Sequence, residues 1–248
     1  MGYIEYIVAG LVVLVIALLF FLFKSKYSLI LNFEDGIFEY SFTKKDSYSN
    51  NRIIVVRNGK QKLVKKIKGL EINFYGNNNT LIFPRSCKFS HSVVHFSGDN
   101  ITFELGEDCS IVHMRAVLGG GKDGNLIHIG RGFVNSGILQ IYAGGGKNNN
   151  LYIGDGSMAA RDVAIYTNDG HDIFDCKTET VFNGAKRDLI IGDHVWICHG
   201  CTILKNTQIP NNSIIGSGSV VGGKFDEEYT IIGGFPAKVI KRDVNWRW

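Results

Sequence analysis

An all-β fold, a parallel β-helix, is what this sequence predicts, and three observations predict it. The first is a period of six: Ile191, Ile197, Ile203, Ile209, Ile215 and Val221 recur without a slip. The second is a companion position four residues after each of the first five, held by Val195, Cys201, Thr207, Ser213 and Ser219, all small or β-branched. The third is a longer repeat upstream. GNNNTLIFPRSC, GDNITFELGEDC, KDGNLIHIGRGF and KNNNLYIGDGSM share one shape, and Leu105, Ile129 and Ile153 advance by 24. A period of six is neither the helical period nor plain strand alternation. It fits three short strands per coil, with the aliphatic residue inward, the small residue beside it and polar residues outside.

Composition sets the bounds. With 248 residues, 45% of them hydrophobic and 20% charged, the chain can bury one ordinary core. Thirty glycines against three prolines suit many tight turns. A net charge of +4, spread along the chain, argues against the concentrated basic face of a nucleic-acid binder. The five cysteines lack the spacing of a zinc site or a disulfide framework. Cys87, Cys109 and Cys201 fall at the small inward position, where a thiol behaves as a small hydrophobe. A reducing compartment follows.

The elements run in this order. Residues 1–26 are predicted to form one transmembrane helix, because Ile4 to Phe23 is almost unbroken apolar sequence and about 20 such residues span a bilayer. A signal peptide would need a basic leading segment and a cleavage site, and neither is visible. Lys24 and Lys26 follow directly, which places the rest of the chain on the cytoplasmic face of the inner membrane as a single-pass protein. Residues 27–69 are read as lead-in strands that cap the coil stack, with a hairpin around Asn58-Gly59. The basic run Lys60 to Lys68 suits a solvated face or anionic headgroups. Residues 70–221 form the β-helix. It is interrupted after Ile165 by YTNDGHDIFDCKTETVFNGAKRD, so residues 166–187 are expected to be a loop thrown out from the stack. Residues 222–248 close the chain with a basic, aromatic tail.

Three motifs on this repeat carry a resemblance. They are the loop Asn168-Asp169-Gly170-His171-Asp172-Ile173-Phe174-Asp175, the segment Gly192-Asp193-His194-Val195-Trp196-Ile197, and Gly234-Phe235-Pro236-Ala237-Lys238-Val239-Ile240-Lys241. Over about Leu70 to Arg242 the chain resembles the left-handed β-helix acyltransferases of the hexapeptide-repeat superfamily. The likeness is to the maltose, galactoside and xenobiotic acetyltransferases and their polysaccharide O-acetyltransferase relatives.

The resemblance implies a homotrimer in which acetyl-CoA and a glycan acceptor meet in a groove between neighbouring prisms. It makes His171 the catalytic base. Chemistry agrees, since a sugar hydroxyl needs a base with a pKa near 7 and the thioester is already activated. Asp169, Asp172 and Asp175 flank it. One of them, Asp169 by preference, is expected to accept the ring's second N–H, unless the three serve to shape the turn. Cys176 keeps a covalent route open. For the cofactor, the resemblance puts Trp196 beside the pantetheine arm and His199 facing it, with Ser217 and Gly218 offering backbone groups. Lys224, Lys238 and Lys241 lie where the phosphates would go, although each also reads as ordinary surface charge. No metal is expected, because the Asp/His cluster has no ligand spacing. Cys198, Phe235 and Gly222-Gly223-Lys224 depart from the family pattern. The expected function is an acetyl-CoA-dependent O-acetyltransferase acting on a sugar hydroxyl of a surface polysaccharide or its lipid-linked precursor. N-acetylation of an amino sugar or nucleotide sugar is the enzymatic alternative, and a silent scaffold the non-enzymatic one.

Overall fold

The computed structural model describes residues 27–34, 37–44, 48–119, 124–146 and 149–248. The predicted membrane helix, residues 1–26, lies outside them, as do parts of the two GGGK corner turns. Among the described residues no helix is long and apolar enough to cross a membrane.

Two compact units are present, residues 1–47 and 48–248. In the first, strands Tyr27–Glu34 and Ile37–Lys44 pair antiparallel, Tyr27 opposite Lys44 and Glu34 opposite Ile37. Nothing in the sequence pattern singled out this hairpin.

The second unit is a column of parallel strands in three sheets. The first sheet stacks Arg52–Arg57, Thr80–Pro84, Thr102–Leu105, Leu126–Ile129, Leu151–Ile153, Leu189–Ile191 and Gln208–Ile209. The second runs from Lys88–Ser90 through Met158–Ala159 and Trp196–Ile197 to Ile214–Ile215 and Ile231–Gly234. The third runs from Leu70–Phe74 through Leu139–Ala143, Val163–Tyr166 and Thr202–Ile203 to Val220–Val221. Each full coil visits the sheets in that order.

Two extensions go beyond the period of six. Arg52–Arg57 already pairs in parallel with Thr80–Pro84, so a rung of the column lies inside the segment read as lead-in. Lys60–Leu63 folds back on that rung through Asn58 and Gly59, both at positive φ, as the Asn-Gly signal requires. At the far end Ile231–Gly234 adds a further parallel rung, and Ala237–Lys241 closes it antiparallel.

The core follows the repeat. Ile191, Ile197, Ile203, Ile209, Ile215 and Val221 are all buried and stack on one another coil by coil. Each such side chain contributes about 1.5–3 kcal/mol on burial. The count slips in two successive coils, where Val94 turns inward five residues after Phe89 and Ala116 five after Ile111. On Met114–Leu118 the inward residues are Met114, Ala116 and Leu118, and Val117, six after Ile111, turns outward. The corner at His113, with φ of 48°, resets the count, and the five-residue strand then alternates on its own.

The small inward residues do more than save space. Thr207 Oγ1 donates to the Leu204 and Val221 carbonyls, Ser157 Oγ to Gly192, and the Cys109 and Cys201 thiols to Gly130 and Gly216. The Leu204, Gly192, Gly130 and Gly216 carbonyls lie at corners and gain a partner in this way, while Val221 also accepts from Leu204 N. Asn135 stands in an aliphatic slot and is satisfied in the same way, its amide bonded to Val112 and Gly137. Outside, corner side chains form a second ladder. Asp155 Oδ1 accepts from Arg131 N, Asp193 Oδ1 from Asp155 N and Asn211 Oδ1 from Asp193 N, all at 2.8 Å. Glycine must precede each rung of this ladder: a Cβ on Gly154 would lie 2.3 Å from Asp193 Oδ1.

Candidate active site

Coil length shows where the column has been opened. Ile191 pairs with Ile209, 18 residues on, whereas Ile153 pairs with Ile191, 38 residues on, without loss of register. The extra chain leaves at the end of Val163–Tyr166 and returns at Leu189–Ile191, at the corner between the third and first sheets.

The loop is internally built. Asn168 Oδ1 accepts from Gly170 N at 2.8 Å, and Asn168 Nδ2 donates to Gly144 of the coil before. Phe174 and Val181 form an antiparallel bridge. At its tip Asp175 Oδ1 accepts from Lys177 N, Thr178 N and the Thr178 hydroxyl. Those bonds hold the Asp175 carboxyl below its ordinary value, so Asp175 shapes the turn. Ile173, Phe174, Val181 and Phe182 are exposed.

His171 is exposed and lines an open cleft of about 280 Å³. Its lining includes Asp169, Asp172, Asn183 and Gly184 of the loop and Gly119, Gly145 and Asn149 of the preceding coils. The walls are small residues, amides and carboxylates, suited to a hydroxylated ligand. Among the described residues the His171 ring makes no side-chain hydrogen bond. Its main chain is held instead: Asn183 Nδ2 donates to the His171 carbonyl at 2.8 Å and to Asp169 Oδ2 at 2.7 Å, and Asn183 Oδ1 accepts from Ile173 N at 2.7 Å. Lys205, from the same corner one coil later, donates to Asp169 Oδ2 and to the Asn183 carbonyl. Partial burial alone would raise the Asp169 carboxyl. The bonds from Lys205 and Asn183 and the lysine charge outweigh it, and the carboxyl is held below its usual range.

The residues assigned to the cofactor gather elsewhere. Trp196 lies on the outer side of the second sheet, half-buried against Trp246 of the tail at 6.0 Å between rings. Trp246 also stacks on His194 at 4.3 Å and donates to the His194 carbonyl. Trp196 Nε1 is buried with no partner among the described residues. His199, Ser217 and Gly218 are exposed at the corner between the second and third sheets, where His199 Nε2 meets Asp162 at 3.0 Å and Gly218 N donates to the His199 carbonyl. Lys238 and Lys241 are exposed on the closing strand of the second sheet. Lys224 lies apart from these, at the edge of the first sheet, paired with Asp226. One chain therefore places His171 and Asp169 in one cleft, and Trp196, Lys238 and Lys241 on the second sheet with His199, Ser217 and Gly218 at its corner with the third. The third sheet lies between the two sets. Cys198, also near that corner, is buried, and burial first and the neighbouring Cys201 second push its thiol up to about 11.

Lys205 and Asn183 were missed by sequence reasoning. Lys205 reads as a surface charge at a corner, and Asn183 as a turn residue before Gly184; their contacts exist only once the loop has folded back.

Comparison with known proteins bears on the family and the fold. The family described as bacterial transferase hexapeptide (six repeats) matches residues 188–223. The polysialic acid O-acetyltransferase of Neisseria meningitidis is 32% identical over 176 residues, covering 71% of this chain and 79% of that protein. The polysialic acid O-acetyltransferase of Escherichia coli O1:K1 / APEC is 35% identical over 97 residues, 39% of this chain and 31% of that protein. Among solved structures, the polySia specific acetyltransferase NeuO superposes with a TM-score of 0.64 at 27% identity, covering 82% of this chain and 81% of that one. The chain belongs to the left-handed β-helix acyltransferases of the hexapeptide-repeat superfamily, in their polysaccharide O-acetyltransferase branch, and is an acyltransferase.

Proposed function

We propose that this acyltransferase moves an acetyl group from acetyl-CoA to a sugar hydroxyl of a surface polysaccharide or its lipid-linked precursor. The observation that carries the reading is His171, the one histidine lining the polar cleft at the opened corner. A hydroxyl is a poor nucleophile at neutral pH, and an imidazole beside it removes that barrier. The acceptor oxygen attacks the thioester carbonyl while His171 takes its proton. As the C–S bond breaks, the proton passes to the departing sulfur, leaving an O-acetyl ester and free CoA thiol. A polysaccharide acceptor is supported by the relatives named for polysialic acid.

Trp196, Ser217, Gly218 and His199 are the groups proposed to hold the donor's arm, and Lys238, Lys241 and Lys224 its phosphates. A buried indole N–H without an acceptor among the described residues and an exposed corner rich in backbone groups fit that role. Because most of this set and His171 occupy different corners of one prism, a site containing both needs a second copy of the chain, which supports the trimer. The apolar stretch Ile4 to Phe23 supports a membrane anchor and, with it, a raised local concentration of lipid-linked acceptor.

His171→Ala is expected to lose turnover, read as thiol release, by at least about 100-fold with acyl-CoA binding retained. Unchanged turnover would remove the mechanism. Hydroxylamine lability of the product distinguishes the ester from the amide of an N-acetyltransferase.

A further inference from the structure

We infer that Lys205, Asn183 and Asp169 form a single positioning clamp that sets the main chain of His171. Asp169 then serves the loop's backbone rather than the imidazole. The inference rests on His171 being the base and adds residues that act through it.

Lys205 stands in the neck of the loop. Its ammonium reaches Asp169 on the outgoing arm and the Asn183 carbonyl on the returning arm, and its side chain is only 17% exposed. Its own position is fixed by the column: it lies between buried Ile203 and buried Thr207, whose hydroxyl is bonded to two corner carbonyls. Asn183 is the crosspiece. Its one amide group bonds the His171 carbonyl, the Ile173 N–H and Asp169 Oδ2. Next to Lys205, Asn206 Oδ1 accepts from Lys186 N and Arg187 N and holds the returning arm to the same corner. The rigid column thus reaches the main chain of His171 through two side chains, and among the described residues no side chain hydrogen-bonds its ring. A base displaced by about an ångström loses on the order of 100-fold in rate, although its chemistry is unaltered.

The test uses the full-length enzyme with acyl-CoA and a glycan acceptor. Lys205→Ala and Asn183→Ala should each lower kcat by about 10- to 100-fold, with KM for the acyl donor within about two-fold and melting temperature near that of the parent. The double variant should be no worse than the poorer single one, because the two act as a unit. Lys205→Arg, which keeps the cation and its reach, should recover part of the loss, and Lys205→Gln should lie between. Parental kcat in either alanine variant, or losses that multiply in the double one, would overturn the clamp. So would a fall in kcat that merely tracks a fall in melting temperature. His171→Ala is run beside them: if it is inactive while Lys205→Ala is not, only the clamp fails, and if it stays active the base assignment itself fails.

Discussion

The coils on either side of the opened corner and the loop that leaves it are made by different means. In the column, stacked aliphatic rungs are buried and every coil repeats the contacts of the one before. In the loop, residues 169–182 are exposed throughout, Phe182 at 62%, and order comes from hydrogen bonds through Asn168, Asp175 and Asn183. The lesson is a division of labour. Stability is distributed along the column, while the cleft depends on a few polar contacts at its edge. Local opening should be cheap in the second region and rare in the first.

Thiol reactivity should show the widest gap between the two. Cys176 is exposed at the loop tip, whereas Cys109, Cys198 and Cys201 are buried in the column, their thiols raised by the Cys87 hydrogen bond and then burial at Cys109 and by burial first at the other two. Under iodoacetamide at pH 8, read by mass spectrometry, Cys176 should be alkylated at least about 100-fold faster than those three, since they require opening of the coil. Comparable rates would mean that the column opens as readily as the loop.

Stability should follow the same division. Ile153→Ala, in the buried first sheet, should cost about 2–5 kcal/mol by denaturant unfolding. Phe182→Ser, on the exposed hairpin, should stay within about 0.5 kcal/mol. An equal cost at both sites would place the loop in the core network.

The smallest effect is expected from acid. Asp169 has a carboxyl held below its ordinary 3.8, so what it adds to loop order is complete above that value and is lost as pH falls through the lower, folded one. A fluorophore on Cys176 should therefore lose anisotropy below about pH 4 in the parent. In Asp169→Asn it should start low and stay flat. Identical curves would show that Asp169 does not hold the loop.

How far this was legible beforehand follows the same boundary. The six-residue period found the buried rungs from Ile191 to Val221 because one aliphatic residue per strand faces a shared interior. It slipped at Val117, where a longer strand and a positive-φ corner change which residue turns in. Thr207, Cys109 and Cys201 were read for their size, and their second role as donors to carbonyls needed coordinates. The loop itself was legible as a break in cadence, with His171 in it. Lys205 and Asn183 were not, for they stand 36 and 14 residues from Asp169 and meet it only through the geometry of the opened corner. Arg52–Arg57 was legible as one arm of a hairpin but not as a rung, because no six-residue rhythm reaches that far back.

The chain's three tryptophans, Trp196, Trp246 and Trp248, are neighbours, with successive rings 6.0 and 5.4 Å apart. Indole emission from this protein, excited at the red edge where tyrosine does not absorb, therefore reports on a single spot, where the C-terminal tail lies across the second sheet. Lifting that tail, or seating a molecule beside Trp196, would alter the whole indole signal at once, giving an optical handle on that face without any attached dye.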